Sequence, residues 1–319
     1  MRCLALVRFG LRTAASIFHP ASPEARAIAQ LFLVTLGICG AIFAVVAGLA
    51  VYNLVRFRWR PGDFTVRQVH GNIRWEIAWT IIPALILTVL FVLTVHAMPL
   101  ADPPLPGSPD LEVIGHQWWW EIRYVGSGIV TANEIHIPVG RPISVRLDTT
   151  DVLHEFWVPQ LTRKMTAVPA AGNHVWLEAE HAGVFEGLCS EFCGTQHAWM
   201  RFQVIAESPE KYAQWEQRQR QEPAAPRGEA AQGRELFRTL TCINCHTVSG
   251  LPGGASAGPD LTHLASRSFL GARVIPNTAE NLGLWLRNPQ AIKPGVKMPN
   301  FQLTGRQVDA LVAYFEGLK

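Results

Sequence analysis

The sequence predicts a multi-domain membrane protein: a two-helix transmembrane hairpin, then an all-β domain, then an all-α domain. Three observations predict it. Two long uncharged apolar runs lie in the first hundred residues, short β-like segments punctuated by Gly and Pro follow, and helical patterning returns after residue 229. A length of 319 residues suits two or three domains. A hydrophobic content of 49%, 17% charged residues and a mean hydropathy of +0.14 exclude a disordered or collagen-like chain. The net charge is only +3, with no basic stripe, no GxxxxGKS/T loop and no GxGxxG at a strand–helix junction. Nucleic-acid and nucleotide chemistry are therefore not expected.

The hairpin is expected over 23–100. No charged residue occurs from Ala27 to Val55 or from Ile77 to Met98. Each run is long enough for the roughly 20 apolar residues that span a bilayer. Pro83 lies early in the second run and is expected to bend it. The loop between the runs holds Arg56, Arg58, Arg60, Arg67 and Arg74 against Asp63, which places it in the cytoplasm and everything after Met98 outside. Arg2, Arg8, Arg12 and Arg26 conflict with an external N-terminus, and a cleaved signal segment within 1–22 would remove most of that conflict. Cys3 lacks a lipidation context.

The proline-rich stretch 101–109 reads as a linker, and the β domain is expected over 107–206. Its strands read as Leu111–Ile114, His116–Val125, Glu134–Ile137, Ile143–Asp148, Glu155–Val158, His174–Glu180 and Gly183–Leu188, a small sandwich or Greek-key barrel. A polar linker with Pro209, Pro223 and Pro226 fills 207–228, with a short helix around Lys211–Gln221. The all-α domain occupies 229–319, with helices at Ala231–Thr239, Thr278–Arg287 and Thr304–Gly317 and with Thr278 and Thr304 as N-caps.

Two clusters carry chemistry. The first is Cys189-Ser-Glu-Phe-Cys193-Gly-Thr-Gln-His197-Ala-Trp-Met200. Two thiols, an imidazole and a thioether within twelve residues favour copper, and Met is a poor zinc ligand. A mononuclear blue-copper loop needs one Cys; two allow both sulfurs to bridge two metals. His154, after a strand, is the natural remote ligand. The competing reading is a Cys189–Cys193 disulfide with His197 and Met200 as packing.

The second cluster, Cys242-Ile-Asn-Cys245-His246, is CxxCH, the attachment signature of c-type haem. Gly233 and Phe237 precede it, Gly258-Pro259-Asp-Leu261 follows, and Lys297-Met298-Pro299 lies downstream. This order resembles a class I cytochrome c, which makes Cys242 and Cys245 the covalent attachments and His246 and Met298 the axial ligands. His263 is the competing axial ligand. Trp285 is either a partner of a haem propionate or core packing.

The twelve-residue loop, the two spans, Gly115-His-Gln-Trp-Trp-Trp-Glu121 and Asp151-Val-Leu-His154 together resemble cytochrome c oxidase subunit II, with its dinuclear CuA centre in a cupredoxin-like domain. The resemblance implies that His154, Cys189, Cys193, His197 and Met200 ligate copper. It adds the carbonyl of Glu191 as a further ligand and the Glu191 carboxylate as a ligand of a magnesium ion shared with the catalytic subunit. Trp118 becomes a surface aromatic through which electrons arrive; in a strand it would face the same way as Trp120 and opposite to Trp119, and packing is its alternative role. Glu76, in Glu76-Ile-Ala-Trp79, becomes a proton-channel entrance, while a helix-dipole role accounts for it equally. The implied partners are catalytic subunit I, subunit III, and a cytochrome c or quinol-oxidising complex as donor, at a bacterial inner membrane with both redox domains on the outer side. The alternatives are an electron-transfer module like that of nitrous oxide reductase, and a copper-carrying protein.

Overall fold

The computed structural model describes residues 16–58, 71–104, 107–252 and 256–319. The signal segment up to residue 15, with Cys3, and Arg60, Asp63 and Arg67 of the interhelical loop lie outside the described residues. The chain divides into two units, the helical residues 26–103 and the remainder.

In the first unit, helices α1 (Pro23–Arg56) and α2 (Ile73–Ala101) extend a few residues beyond the uncharged runs at both ends. Both are long and apolar enough to cross a membrane. Their apolar side chains point outward along the whole length; Phe43 and Leu54 are each 74% exposed and Phe91 68%. A soluble helix pair would bury such residues, so lipid or partner helices must cover them. Asn72 caps α2, its Oδ1 accepting the Arg74 N–H at 3.1 Å.

The second unit begins with a β-sandwich of ten strands. These are β1 (Leu111–His116), β2 (Trp119–Tyr124), β3 (Val130–Ala132), β4 (Glu134–Pro138), β5 (Ile143–Thr149), β6 (His154–Trp157), β7 (Met165–Ala167), β8 (His174–Leu177), β9 (Gly183–Cys189) and β10 (Arg201–Glu207). One sheet has the order β3-β2-β1-β5-β8 and the other β4-β10-β9-β6-β7. The β1–β5 and β4–β10 pairs are parallel and the others antiparallel, so the chain crosses between sheets. Trp120, Phe156 and Phe202 are fully buried between the sheets and pack edge-on or stacked at 4.5–5.7 Å.

Three strands were not expected: β3 and β7, of three residues each, and β10. The segment expected as one strand over His116–Val125 is two. β1 ends at His116, β2 starts at Trp119, and Gln117–Trp118, joined by a cis peptide, turn the chain between them. Trp118 is therefore off the strand, while Trp119 and Trp120 are both buried, which corrects the alternation expected for the three tryptophans.

Helix α3 (Pro209–Gln219) leads to α4 (Glu229–Thr239), the short strands β11 (Phe269–Leu270) and β12 (Ile275–Pro276), and helices α5 (Ala279–Arg287), α6 (Pro289–Ile292) and α7 (Gly305–Glu316). Helices α4 and α7 cross at Gly233, where any Cβ would overlap Ala310 O and lie 2.7 Å from Tyr314 Cβ. Phe237, Tyr314 and Phe315 fill the crossing. Thr304 and Gln307 form a capping box at α7, and Thr278 caps α5.

Candidate functional site

The loop between β9 and β10 carries most of the first cluster. Cys189 ends β9, and Met200 directly precedes β10 with its N–H donating to His197 O. His154 opens β6, the neighbour of β9, so a long-range strand pairing delivers it to the loop. Cys189, Cys193, His154 and Met200 are buried and His197 is half-buried.

The potential ligand atoms converge. Cys189 Sγ lies 3.8 Å from Cys193 Sγ and 3.9 Å from His154 Nδ1. Cys193 Sγ lies 3.7 Å from His197 Nδ1 and 3.8 Å from Met200 Sδ. The Glu191 carbonyl accepts from Cys189 Sγ at 3.3 Å, while its side chain is exposed. Both cysteines are free, at a separation far beyond a disulfide bond of about 2.05 Å. The donor set, two sulfurs of cysteine, two imidazoles and a thioether, fits copper.

The electrostatics couple the same groups. The contact between the two thiols holds Cys189 well below the usual range and, with burial, pushes Cys193 above it. Burial alone would lower His154, but its bonds to Cys189 and to Asp151 outweigh that and raise it. Asp151 Oδ1 accepts from His154 Nε2 at 2.8 Å, fixing the tautomer that aims Nδ1 at the sulfurs. Gln117 and Trp118 brace the loop from the β1–β2 turn. Gln117 Nε2 and Trp118 Nε1 both donate to Cys193 O, at 2.8 and 2.9 Å, and Gln117 N donates to Asp151 Oδ2 at 2.8 Å.

In the helical domain, His246 Nδ1 donates to Pro259 O at 2.8 Å, leaving Nε2 free for a metal. Burial lowers the His246 pKa and so favours the neutral, ligating imidazole. Gly258 must be glycine here, since a Cβ would stand 2.5 Å from the His246 ring. Trp285 Nε1 donates to Met298 Sδ at 3.3 Å, which orients the thioether. His263 is held by the main-chain oxygen of Lys319 at 2.8 Å through Nδ1, a structural pin. Cys242 is half-buried and Cys245 exposed, and both are free thiols.

Residues 12–97 match the transmembrane domain of cytochrome c oxidase subunit II, residues 127–207 its periplasmic domain, and residues 230–319 the cytochrome c family. Cytochrome c oxidase subunit 2 of Alkalihalophilus pseudofirmus is 38% identical over 309 residues, an alignment covering 94% of this chain and 90% of that one. The chain belongs to the cytochrome c oxidase subunit 2 family. The Bacillus subtilis subunit 2 is 33% identical over 291 residues, covering 84% of this chain and 82% of that one. The periplasmic domain of subunit II from Bradyrhizobium japonicum is 27% identical, covers 36% of this chain and 96% of that one, and superposes with a TM-score of 0.34.

This subunit 2 chain combines a copper-type and a haem-type domain behind membrane helices. Glu76 lies in the first turn of α2, with its carboxylate folded back over Gly71. Three polar residues escaped sequence reasoning. Asp151 had a signal in standing three residues before His154. Gln117 and Gln196 had none, because their partners are backbone carbonyls distant in sequence.

Proposed function

We propose that this chain is the electron-accepting subunit of a respiratory haem-copper oxidase. It passes electrons from a cytochrome c or a quinol-oxidising complex, through its own covalent haem c and a dinuclear CuA centre, to catalytic subunit I, which reduces O2 to water with proton translocation. The observation that carries this reading is the convergence of two free thiols, two imidazoles and a thioether beside a second domain holding CxxCH and Met298.

His154, Cys189, Cys193, His197, Met200 and the Glu191 carbonyl would hold the copper pair; Cys242 and Cys245 would attach the haem, with His246 and Met298 axial. Copper and haem supply reversible one-electron chemistry, and a His/Met pair raises the haem potential. The protein's own part is to hold the ligands still. Asp151 orients His154, Pro259 O orients His246, Trp285 orients Met298, and the buried sulfurs exclude water. Trp118, bonded to Cys193 O, would serve electron arrival at the copper side. The exposed Glu191 carboxylate is free to meet a magnesium ion shared with the catalytic subunit, and Glu76 at the cytoplasmic start of α2 marks a proton-channel entrance. Both redox domains then face the outer side of a bacterial inner membrane, with subunits I and III as neighbours.

The test is metal and haem content of the full chain purified in detergent after copper loading. Two coppers and one covalent haem per chain are expected. One copper would overturn the dinuclear reading, and haem without copper would reduce the chain to a tethered cytochrome.

A further inference from the structure

The haem domain is seated on the copper loop through buried polar contacts. Gln196 lies inside the copper loop, beside His197, and is 2% exposed. Its Nε2 donates to the main-chain carbonyls of Lys293 at 3.1 Å and Pro294 at 2.6 Å, in the segment that leads to Met298. Lys293 is likewise 2% exposed, and its Nζ donates back to Trp118 O at 3.2 Å. Gly295, at φ +86°, completes the fit; a Cβ there would stand 3.3 Å from Thr195 Cγ2 of the copper loop.

The pattern is reciprocal. At the copper loop each domain presents a buried polar side chain to the other's backbone; away from the loop Glu134 accepts from Ser268 N, and Arg273 donates to Phe202 O and pairs with Glu186. A buried ammonium is costly unless its partner persists, so Lys293 ties its own burial to the docked state. A transient encounter surface would rely instead on exposed, salt-screened pairs. Lys297–Asp151 is of that weaker kind, at 3.8 Å with the lysine side chain 58% exposed.

We propose that Gln196 and Lys293 are a positioning pair that locks the haem domain onto the copper loop and closes Trp118 to any external donor. Lys293 covers the main chain of Trp118, and Lys297 Nζ stands 5.7 Å from the centre of its ring. The haem domain is then a fixed internal donor, and external donors deliver electrons to the haem. This inference rests on the reading of the two sites as copper and haem centres.

The test uses the intact oxidase, with Gln196→Glu, which replaces the donor by an acceptor facing two carbonyls, and Lys293→Met, which keeps shape and removes the charge. Copper and haem absorption and midpoint potentials are followed alongside the internal haem-to-copper rate. With both spectra and potentials retained, the rate is expected to fall about tenfold in each variant, as the docked population falls. The rate should also become sensitive to solvent viscosity, and an external protein donor should reduce copper ahead of the haem. Unchanged, viscosity-independent transfer in Lys293→Met overturns the proposal. Lys293 decides it even where Gln196→Glu loses copper, because Lys293 lies in the other domain. Failure of the underlying reading looks different: the unaltered oxidase would then lack the copper or the haem signature in this chain.

Discussion

Asp151 serves three partners with one carboxylate: His154 Nε2 and Val152 N on Oδ1, and Gln117 N on Oδ2. Although partial burial opposes it, these bonds hold its pKa below the usual carboxylate range. Removing a residue that orients a metal-binding histidine costs about 10–100-fold in metal affinity. Asp151→Ala should therefore weaken copper binding by about that factor, read by competition against a chelator. Glu121 supports the neighbouring turn, bonding His116 at 3.0 Å and pairing with Arg123. Burial opposes its charge, but these two partners prevail and hold its pKa below the usual carboxylate range. A depressed carboxylate contributes stability that is whole above its unfolded pKa and is lost as pH falls through the folded one. The melting temperature of the parent chain relative to Glu121→Gln should thus be flat above about pH 5 and decline below pH 4.5; a gap that widens in acid would contradict the assignment. The convergence of Cys189, Cys193, His197 and Met200 was legible in the sequence because these four side chains sit within twelve residues. The role of Asp151 was less so, because it depends on how a turn after β5 folds back on His154.

At the scale of elements, alternation and caps carried the reading where a segment was long. The strands in β1, β5 and β9 and the helices α4, α5 and α7 fall within a few residues of expectation. β3 and β7 are too short to show a period, and β10 was hidden by the ligand loop that runs straight into it, with Met200 immediately before Arg201. The break at Gln117–Trp118 was invisible because Trp, Ile and Tyr favour strands, while the turn is imposed by bonds to Asp151 and Cys193. The α4–α7 crossing offers a direct test. Gly233→Ala inserts a methyl where Ala310 O and Tyr314 already touch. Overpacking of this kind costs about 1–3 kcal/mol, so unfolding of the haem domain, followed at the haem absorption band, should shift to lower denaturant. A neutral result would mean that the two helices are free to separate.

For the whole molecule, the residues just before the first span are structural. Ala21 N donates to Gln160 O at 2.8 Å, Glu180 N donates to Ala21 O at 2.9 Å, and Ser22 Oγ donates to Leu161 O at 2.6 Å. Arg163 N donates to Glu24 at 2.8 Å. Ala21 and Ser22 are each 1% exposed, so this strap forms part of the β domain that follows the second span. An even number of spans is what allows it, because the chain before α1 and the chain after α2 then meet the same side. A signal peptidase cut after residue 22 would discard the strap and expose Leu161 O and Gln160 O. A cut before Pro20, or none, would keep it. The strap predicts that the mature chain in membranes retains Ala21 and Ser22, which its intact mass will show. It also predicts that deleting residues up to Ser22 lowers the melting temperature of the copper domain, by loss of these three hydrogen bonds and that from Gln160 Nε2 to His19 O, worth about 1 kcal/mol each, while the haem domain, which shares none of them, unfolds as before. A mature chain that begins after Ser22 and melts at the same temperature as the full one would show that the strap contributes nothing to stability.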